Sequence, residues 1–285
     1  MSFASLNPID GETRWVTIVA DPVSQVQSPQ LFNAHFARHG IRAVLVPSHV
    51  HPDELGTALA GLRAIRNVAG VVITVPHKID AARMVERLTP RARAIGSINC
   101  LRRCADGAWE GDNFDGEGFV VGLAAQRHEI AGARALLVGA AGGAGIALAD
   151  ALAQRGVSAL DLFDVRREAA AALAQRLAER YPSVACRVAE PSATAAHRLL
   201  INASPVGMRR GDGVPIDLSG AAGDAVVADL IMKPAITPLL AEAAARGLRT
   251  HPGRHLLEHA VAPMAGWLGL HASEPAREAT PASAR

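Results

Sequence analysis

Cysteine is close to absent from this chain. There are three, Cys100, Cys104 and Cys186, an odd number with no C-x-x-C pair. That excludes a disulfide framework and points to reduced thiols in a cytoplasmic protein. Aromatic residues are scarce as well, at 4% of 285. No basic run stands out and the formal charge is only +2, which excludes the electrostatic footprint of a nucleic-acid or anionic-membrane binder. No apolar run approaches bilayer length. The opening MSFASLNPIDGETR lacks both a basic start and an apolar core, so it is not a secretory signal. No internal repeat is present. What the chain has instead is alanine and glycine, as expected where helices pack tightly on a parallel sheet. Its length suits one large or two medium domains with a real core.

The most informative stretch is 135–164, ALLVGAAGGAGIALADALAQRGVSALDLFD. Residues 135–138 form a short apolar run of the kind that makes a strand buried on both faces. Gly139, Gly142, Gly143 and Gly145 follow at once. A helix is expected from about 144 to 155, stopped by Gly156, and then a second strand at 159–163 closed by Asp164. Bare glycine backbone brings N–H groups up to a pyrophosphate at a helix N-terminus, where the helix dipole favours anionic charge. Asp164 stands nineteen residues beyond Gly145, near the spacing of the acid that binds a ribose hydroxyl. The glycines are displaced from strict G-x-G-x-x-G, with Ala141 and Ala144 at two of its positions, as one extra alanine in the turn would produce. A glycine-rich turn in some other α/β domain is the competing reading.

Strand and helix patterns alternate on both sides of this unit. Ahead of it are strands at 16–20, 41–47, 70–75 and 97–101, helices at 31–39, 52–68 and 79–88, and a loop at 109–118 rich in acid, glycine and asparagine. Behind it are helices at 168–181, 237–246 and 255–268 and strands at 199–201 and 225–230. An α/β unit therefore precedes the glycine turn, which begins a second domain near Gly116. The small polar tail over 272–285 is expected to be disordered.

Three residues ahead of the turn stand out. Lys78 comes just past a buried strand end, where ligands meet open parallel sheets; a solvent-facing cap is the alternative. Asn99 falls within a strand, where asparagine is disfavoured, and if buried it needs partners. Asp115 lies in Gly-Asp-Asn-Phe-Asp-Gly, where a turn aspartate is the simpler reading, and Asp112 fits that reading better. A lysine, an asparagine and an aspartate at strand ends facing an interdomain cleft would make a polyol site.

In order along the chain, Ser28-Pro29, Thr74-Val75-Pro76-His77-Lys78, Ser97-Ile98-Asn99, Gly111-Asp112-Asn113-Phe114-Asp115-Gly116, the glycine turn, Asn202-Ala203-Ser204-Pro205-Val206-Gly207-Met208, and Asp229-Leu230 with Thr237-Pro238-Leu239-Leu240 resemble the shikimate dehydrogenase family. The resemblance runs from about residue 16 to about residue 270. It implies an α/β protein with an N-terminal substrate-binding domain over 1–115, a C-terminal Rossmann domain over 116–250, and residues 251–271 packing back on the first domain. It implies hydride transfer between NAD or NADP and a ring hydroxyl of shikimate, quinate or a related cyclitol. Lys78 and Asp115 match the catalytic pair, and Ser28, Thr74 and Asn99 match substrate contacts. Gly139, Gly142, Gly143, Gly145, Asp164, Asn202, Ser204 and Gly253 match coenzyme contacts, and no metal is implied. Oxidising an alcohol by hydride transfer needs a proton acceptor within hydrogen-bond reach; Lys78 would handle the proton and Asp115 would orient it.

The chain also departs from the family pattern. Val26 replaces a second carboxylate-binding serine, Val72 an asparagine, Phe114 a threonine, Met232 a tyrosine and Ala260 a substrate-binding glutamine. Each lost hydrogen bond to a charged group is worth ~1.5–3 kcal/mol, so these departures imply weak binding of shikimate and another substrate. His77 and Arg254 are candidates for new polar contacts. Asp164 favours NAD, because an acid there accepts from both ribose hydroxyls and repels a 2′-phosphate; Arg166 and Arg167 would instead hold that phosphate. Two other classes stay open. His255-Leu256-Leu257-Glu258-His259 fits the H-x-x-E-H pattern of a zinc peptidase, and the apolar departures permit a dinucleotide sensor without turnover, against which Lys78 and Asp115 argue. No nucleic-acid or membrane partner is expected. Substrate identity, physiological direction and the choice between monomer and homodimer are not fixed by the sequence.

Overall fold

A computed structural model of the chain describes residues 8–272; from residue 273 on, the tail expected to be disordered lies outside the described residues. The first lobe is built on β1 (Arg14–Ala20), β2 (Ala43–His49), β3 (Val68–Ile73), β4 (Arg87–Leu88), β5 (Cys100–Arg103) and β6 (Trp109–Asp112), in the order β2-β1-β3-β5-β6-β4. β1 pairs in parallel with β2 and β3, while β5 runs antiparallel to both β3 and β6. Helices α1 (Ser28–Arg38), α2 (Leu55–Ala64), α3 (Lys78–Met84) and α4 (Pro90–Ile95) connect these strands. Helix α5 (Asp115–Ala125) then leads into the second lobe.

The second lobe is wholly parallel. Its strands are β7 (Arg134–Val138), β8 (Ala159–Phe163), β9 (Ala185–Val188), β10 (Leu199–Asn202), β11 (Val226–Asp229) and β12 (Arg249–Pro252), in the order β12-β11-β10-β7-β8-β9. Counted from β7 this is 3-2-1-4-5-6, the doubly wound dinucleotide-binding order, and the chain switches direction between β7 and β10. The central strands β7, β10 and β11 are almost fully buried, because helices cover both faces. The covering helices include α6 (Gly143–Gln154), α7 (Arg167–Arg180) and α8 (Pro238–Ala245).

The last helix, α9 (Arg254–Trp267), returns to the first lobe. Its Leu257, Ala260, Val261, Met264 and Ala265 share one core with Val16, Phe32, Phe36 and Leu45, whereas Leu256 joins the core of the second lobe. Phe119, Val120 and Leu123 of α5 sit in that second core too. The packed pair α5 and α9 thus ties the lobes together.

Several expected elements are corrected. The 109–118 segment is not a loop but strand β6 and the start of α5. Its glycines read as turn residues, but they are there for close packing: a Cβ on Gly116 would sit 2.4 Å from the Ala147 carbonyl oxygen, and one on Gly118 2.5 Å from that of Leu256. The helix expected over 52–68 is a 3-10 turn at Pro52–Glu54 followed by α2, and it stops early because Val68 already pairs with Trp15 in the sheet. The helix expected over 79–88 ends at Met84, releasing Arg87 and Leu88 to pair with β6. Asn99 lies just before β5 rather than within a strand. The short elements α4, β9 and β12 were not expected; four-to-six-residue pieces carry too little periodicity to be read.

Candidate active site

Lys78 is one of only two lysines in the chain, the other being Lys233. It is the first residue of α3, directly after the turn that follows buried β3, so the sheet delivers its side chain to the strand's C-terminal end. Asp115 is the first residue of α5. The two meet with Lys78 Nζ donating to Asp115 Oδ2 at 2.6 Å, and both are buried, 8% and 6% exposed. Asn99 Nδ2 donates to the other carboxylate oxygen at 2.8 Å, and Asn99 Oδ1 accepts from the Phe114 amide at 2.9 Å. The carboxylate is therefore fixed on both oxygens. The ammonium, which has three donors, makes one hydrogen bond to the protein.

This cluster adjoins the glycine turn. A Cβ on Gly143 would lie 2.7 Å from Lys78 Cβ, so the glycine allows the first lobe's lysine to touch the start of α6. Two residues the sequence reading passed over complete the junction. The Asp115 amide donates to Asn113 Oδ1 at 2.9 Å, Asn113 Nδ2 reaches Ser97 Oγ at 3.2 Å, and Ser97 Oγ donates to the Gly143 carbonyl at 2.8 Å. A chain of hydrogen bonds thus runs from the carboxylate-bearing helix to the turn of the other lobe. Ser97 and Asn113 both stand in motifs that carry the family resemblance, Ser97-Ile98-Asn99 and the 111–116 run, but nothing local marks either residue as a link between the lobes.

The turn itself is bare backbone at the places a dinucleotide needs. A Cβ on Gly145 would fall 2.2 Å from the Gly139 carbonyl oxygen, and one on Gly139, whose φ is +78°, would fall 2.5 Å from the Ser204 amide nitrogen. The backbone of β7 and that of the loop after β10 approach there as closely as glycine permits, at the switch point where the fold binds its ligand. Gly142 precedes α6 and leaves the first turn's N–H groups without a side-chain cap, available to an anion. The residues present fit a dinucleotide.

Asp164 is placed differently from the expectation behind an NAD preference. Its Oδ2 accepts from the Ala141 amide at 3.0 Å, and its Oδ1 accepts from the Arg166 amide at 3.0 Å and Arg166 Nε at 3.3 Å. Arg166 also donates to the Ala141 carbonyl at 2.9 Å. The buried carboxylate pins the glycine turn and pairs with Arg166, instead of standing free for two ribose hydroxyls.

On the opposite side of the switch point, Asn202 at the end of β10 holds Ser204: its Oδ1 accepts from the Ser204 amide at 3.0 Å and from Ser204 Oγ at 2.6 Å. Its amide nitrogen donates to Asp229 Oδ1 at 3.1 Å. Asp229 also accepts from the Ile231 amide at 3.0 Å and Thr237 Oγ at 2.7 Å. Burial pushes its pKa up to about 6, against the lowering effect of those hydrogen bonds. Gly253 packs on the Leu230 carbonyl, where a Cβ would come within 2.4 Å. Ser28, first in α1, is buried and Thr74 half-buried, and neither hydroxyl bonds to the Lys78, Asn99 and Asp115 cluster.

The remaining candidates are located elsewhere or otherwise engaged. His77 Nε2 contacts the Val50 carbonyl at 2.9 Å, and Arg254 pairs with Glu258 at 2.6 Å. Glu258 also takes His255 Nδ1 at 3.1 Å, and among the described residues no group of three or more His, Cys, Asp or Glu is placed to hold a metal ion. The zinc-peptidase geometry is therefore not formed. The five apolar departures converge: Val72, Phe114 and Ala260 belong to the first-lobe core, and Val26 and Met232 pack against it.

Comparison with known proteins bears on this arrangement. The family model for the shikimate dehydrogenase substrate binding domain matches residues 18–101. The chain is 38% identical over 267 residues to a shikimate dehydrogenase (NADP(+)) of Rhodospirillum rubrum, covering 92% of this chain and 94% of that one. Among solved structures it resembles the shikimate 5-dehydrogenase of Thermus thermophilus in complex with NADP(H) and shikimate, with a TM-score of 0.80, 27% identity, and 91% and 95% of the two chains covered. It also resembles the 5-ketofructose reductase of a Gluconobacter species, with a TM-score of 0.77, 25% identity, and 90% and 93% covered.

Proposed function

We propose, since the chain belongs to the shikimate dehydrogenase family, that Lys78 and Asp115 form its proton-transfer pair and that Ser28, Thr74 and Asn99 hold a ring polyol against them. The chain is an NAD(P)-dependent oxidoreductase of that family acting on a CH–OH group. The observation that carries the residue assignment is the buried 2.6 Å pair of Lys78 and Asp115 set against Gly143. NAD or NADP, when bound at the glycine turn, supplies the hydride acceptor or donor. In the oxidative direction Lys78 Nζ, as the amine, takes the hydroxyl proton while the carbinol hydrogen leaves with its electron pair, so that alcohol becomes ketone. Asp115 holds the amine in place through one oxygen, and Asn99 stops the carboxylate from turning.

We read residues 1–115 with 251–271 as the substrate half and 116–250 as the coenzyme half, in a cytoplasmic enzyme that is a monomer or homodimer. The free thiols Cys100, Cys104 and Cys186 fit that compartment. Because Asp164 is paired with Arg166, it presents no unbalanced charge to a 2′-phosphate. NADP is therefore used with an efficiency within about tenfold of NAD, a difference of less than ~1.4 kcal/mol.

The test is a spectrophotometric screen of ring polyols and their ketones with both coenzymes, on the natural chain and on Lys78→Ala. The variant should lose ~10²–10⁴ in turnover, the usual contribution of a positioned acid–base group, with coenzyme affinity retained. Near-normal turnover in Lys78→Ala would remove the assignment.

A further inference from the structure

Four of the chain's eleven histidines lie where its two crossings between the lobes meet. His128 follows the end of α5, His251 is in β12, and His255 and His259 are on α9. The His251 ring centre is 4.9 Å from that of His255, 5.5 Å from that of His128 and 5.8 Å from that of Phe119 on α5. The two helices approach backbone to backbone at the same place, since a Cβ on Gly122 would lie 3.2 Å from the His255 carbonyl oxygen. His251 is 1% exposed, yet neither of its ring nitrogens has a hydrogen-bond partner among the described residues, and nor has Nδ1 of His128. Buried polar groups left this way are rare in a folded chain and ask for a reason.

The acids on the surrounding elements face other groups. Glu258 on α9 takes Arg254 at 2.6 Å and His255 Nδ1 at 3.1 Å. Glu117 on α5 pairs with Arg155, and Glu242 on α8 with Arg246. Glu129, next to His128 in the chain, is exposed and shares a surface cavity with Arg127, Arg198 and Arg249. Asp229, on the neighbouring strand β11, is held by Asn202, Thr237 and the Ile231 amide. A proton on His251 would therefore be a buried charge without a partner, an expensive state. Burial first, and then His255, His128 and His259, push the pKa of His251 down to about 3. Burial, with the positive charge of Arg249 and the neighbouring His255, lowers that of His128 as well.

We propose that the histidine cluster is an acid-sensitive latch: with its rings neutral it holds the end of α5 against β12 and the first turns of α9, and protonation of His251 releases them. Latched, the ring stays neutral; released, it takes a proton near its ordinary value of 6.5. The hold is complete above about pH 6.5 and weakens as pH falls from there towards 3. Asp229 works the other way, because its pKa is raised to about 6 and its contribution grows in acid. Helix α5 begins with Asp115, so the latch anchors the far end of the helix that carries one half of the proton-transfer pair.

The test is backbone hydrogen exchange on the full chain at about pH 7.5 and about pH 5, corrected for the intrinsic effect of pH on exchange. One linked proton should raise the opening of amides in 119–128 and 249–261 by about thirtyfold over that span. Amides of β7 and β8, in the middle of the second lobe, should not follow. His251→Phe keeps an aromatic ring in the cluster and cannot take a proton, so the rise should fall to about threefold or less. The same rise in His251→Phe, an equal rise in β7 and β8, or no rise in the natural chain would each overturn the proposal. Should His251→Phe not fold, His128→Gln gives the comparison from the turn after α5. It removes one ring that opposes a charge on His251, so the rise should shrink by about twofold or more, and an unchanged rise there would overturn the proposal equally.

Discussion

Two of the aspartates that the molecule buries against cations are built differently. Asp115 in the cleft faces one amine and one amide. Asp161, in the middle of β8, is 1% exposed and accepts from Arg134 at 2.9 and 3.1 Å, from Arg187 at 2.6 and 3.3 Å, and from His197 at 2.8 Å. At Asp161 burial pulls the pKa up, but the hydrogen bonds from Arg187, His197 and Arg134 outweigh it and the carboxyl ends below its usual range. Every lone pair there is filled, and the donors come from β7, β9 and the loop before β10, so the cluster fixes strand neighbours and has nothing left to offer a ligand. At the other site Lys78 keeps donors free beside a glycine cradle. Saturation marks a structural ion cluster, and spare valence facing a cleft marks a chemical one.

That contrast can be broken most sharply at Asp161. Asp161→Ala leaves the buried His197 and two partly exposed guanidiniums without their acceptor, and losing a hydrogen-bonded charged acceptor of that kind costs about 1.5–3 kcal/mol. Urea unfolding should show a loss of that size, with kcat per folded molecule unchanged. A variant of full stability, or one that stays folded yet loses kcat, would erase the distinction between the two clusters.

The two sites also differed in how readable they were. Lys78 follows an apolar strand and Asp115 sits in a dense polar motif, so their positions were visible in the sequence. Asp161 was hidden, because an acid inside an apolar strand has no local signal; its partners are 26 to 36 residues away. The parallel second lobe was legible from β7 to β8, where strands are buried runs and glycines bound the helix. The 109–118 segment was misread because glycine for close packing and glycine for turning look the same until the neighbouring helices are in place. Asp164 shows a further limit: spacing located it at the end of β8, but only the fold revealed that Ala141 and Arg166 occupy its oxygens.

Asp229 sharpens the comparison with an effect of comparable size. It is buried like Asp161 but faces only neutral donors, and its pKa is raised to about 6. A carboxyl raised above its unfolded value of 3.8 favours the folded state most when protonated, and that contribution is lost as pH climbs through about 6. Asp229→Asn keeps the shape and removes the charge. It should therefore match the natural chain near pH 4 and be more stable above pH 6, by on the order of 2–3 kcal/mol from the shift. Thermal midpoints across that range read the effect, and a gap that shrinks as pH rises would show the carboxylate to be stabilised by its surroundings.

The smallest expected effect tests whether the chemical site depends on contact between the lobes. Ser97 Oγ donates to the Gly143 carbonyl and accepts from Asn113, which in turn receives the Asp115 amide. Ser97→Ala removes both of the hydroxyl's hydrogen bonds, each worth about 0.5–1.5 kcal/mol, and leaves Lys78 and Asp115 in place. If these bonds serve to seat the glycine turn against the first lobe, the loss falls on coenzyme KM, by about two- to tenfold, with kcat nearly retained, and Ser97→Thr restores it. A purely local packing role would instead lower the unfolding midpoint with no change in coenzyme KM. An equal fall in kcat would mean that the hydroxyl acts on the proton-transfer pair through Asn113, and the junction would then belong to the chemical cluster rather than to the contact between lobes.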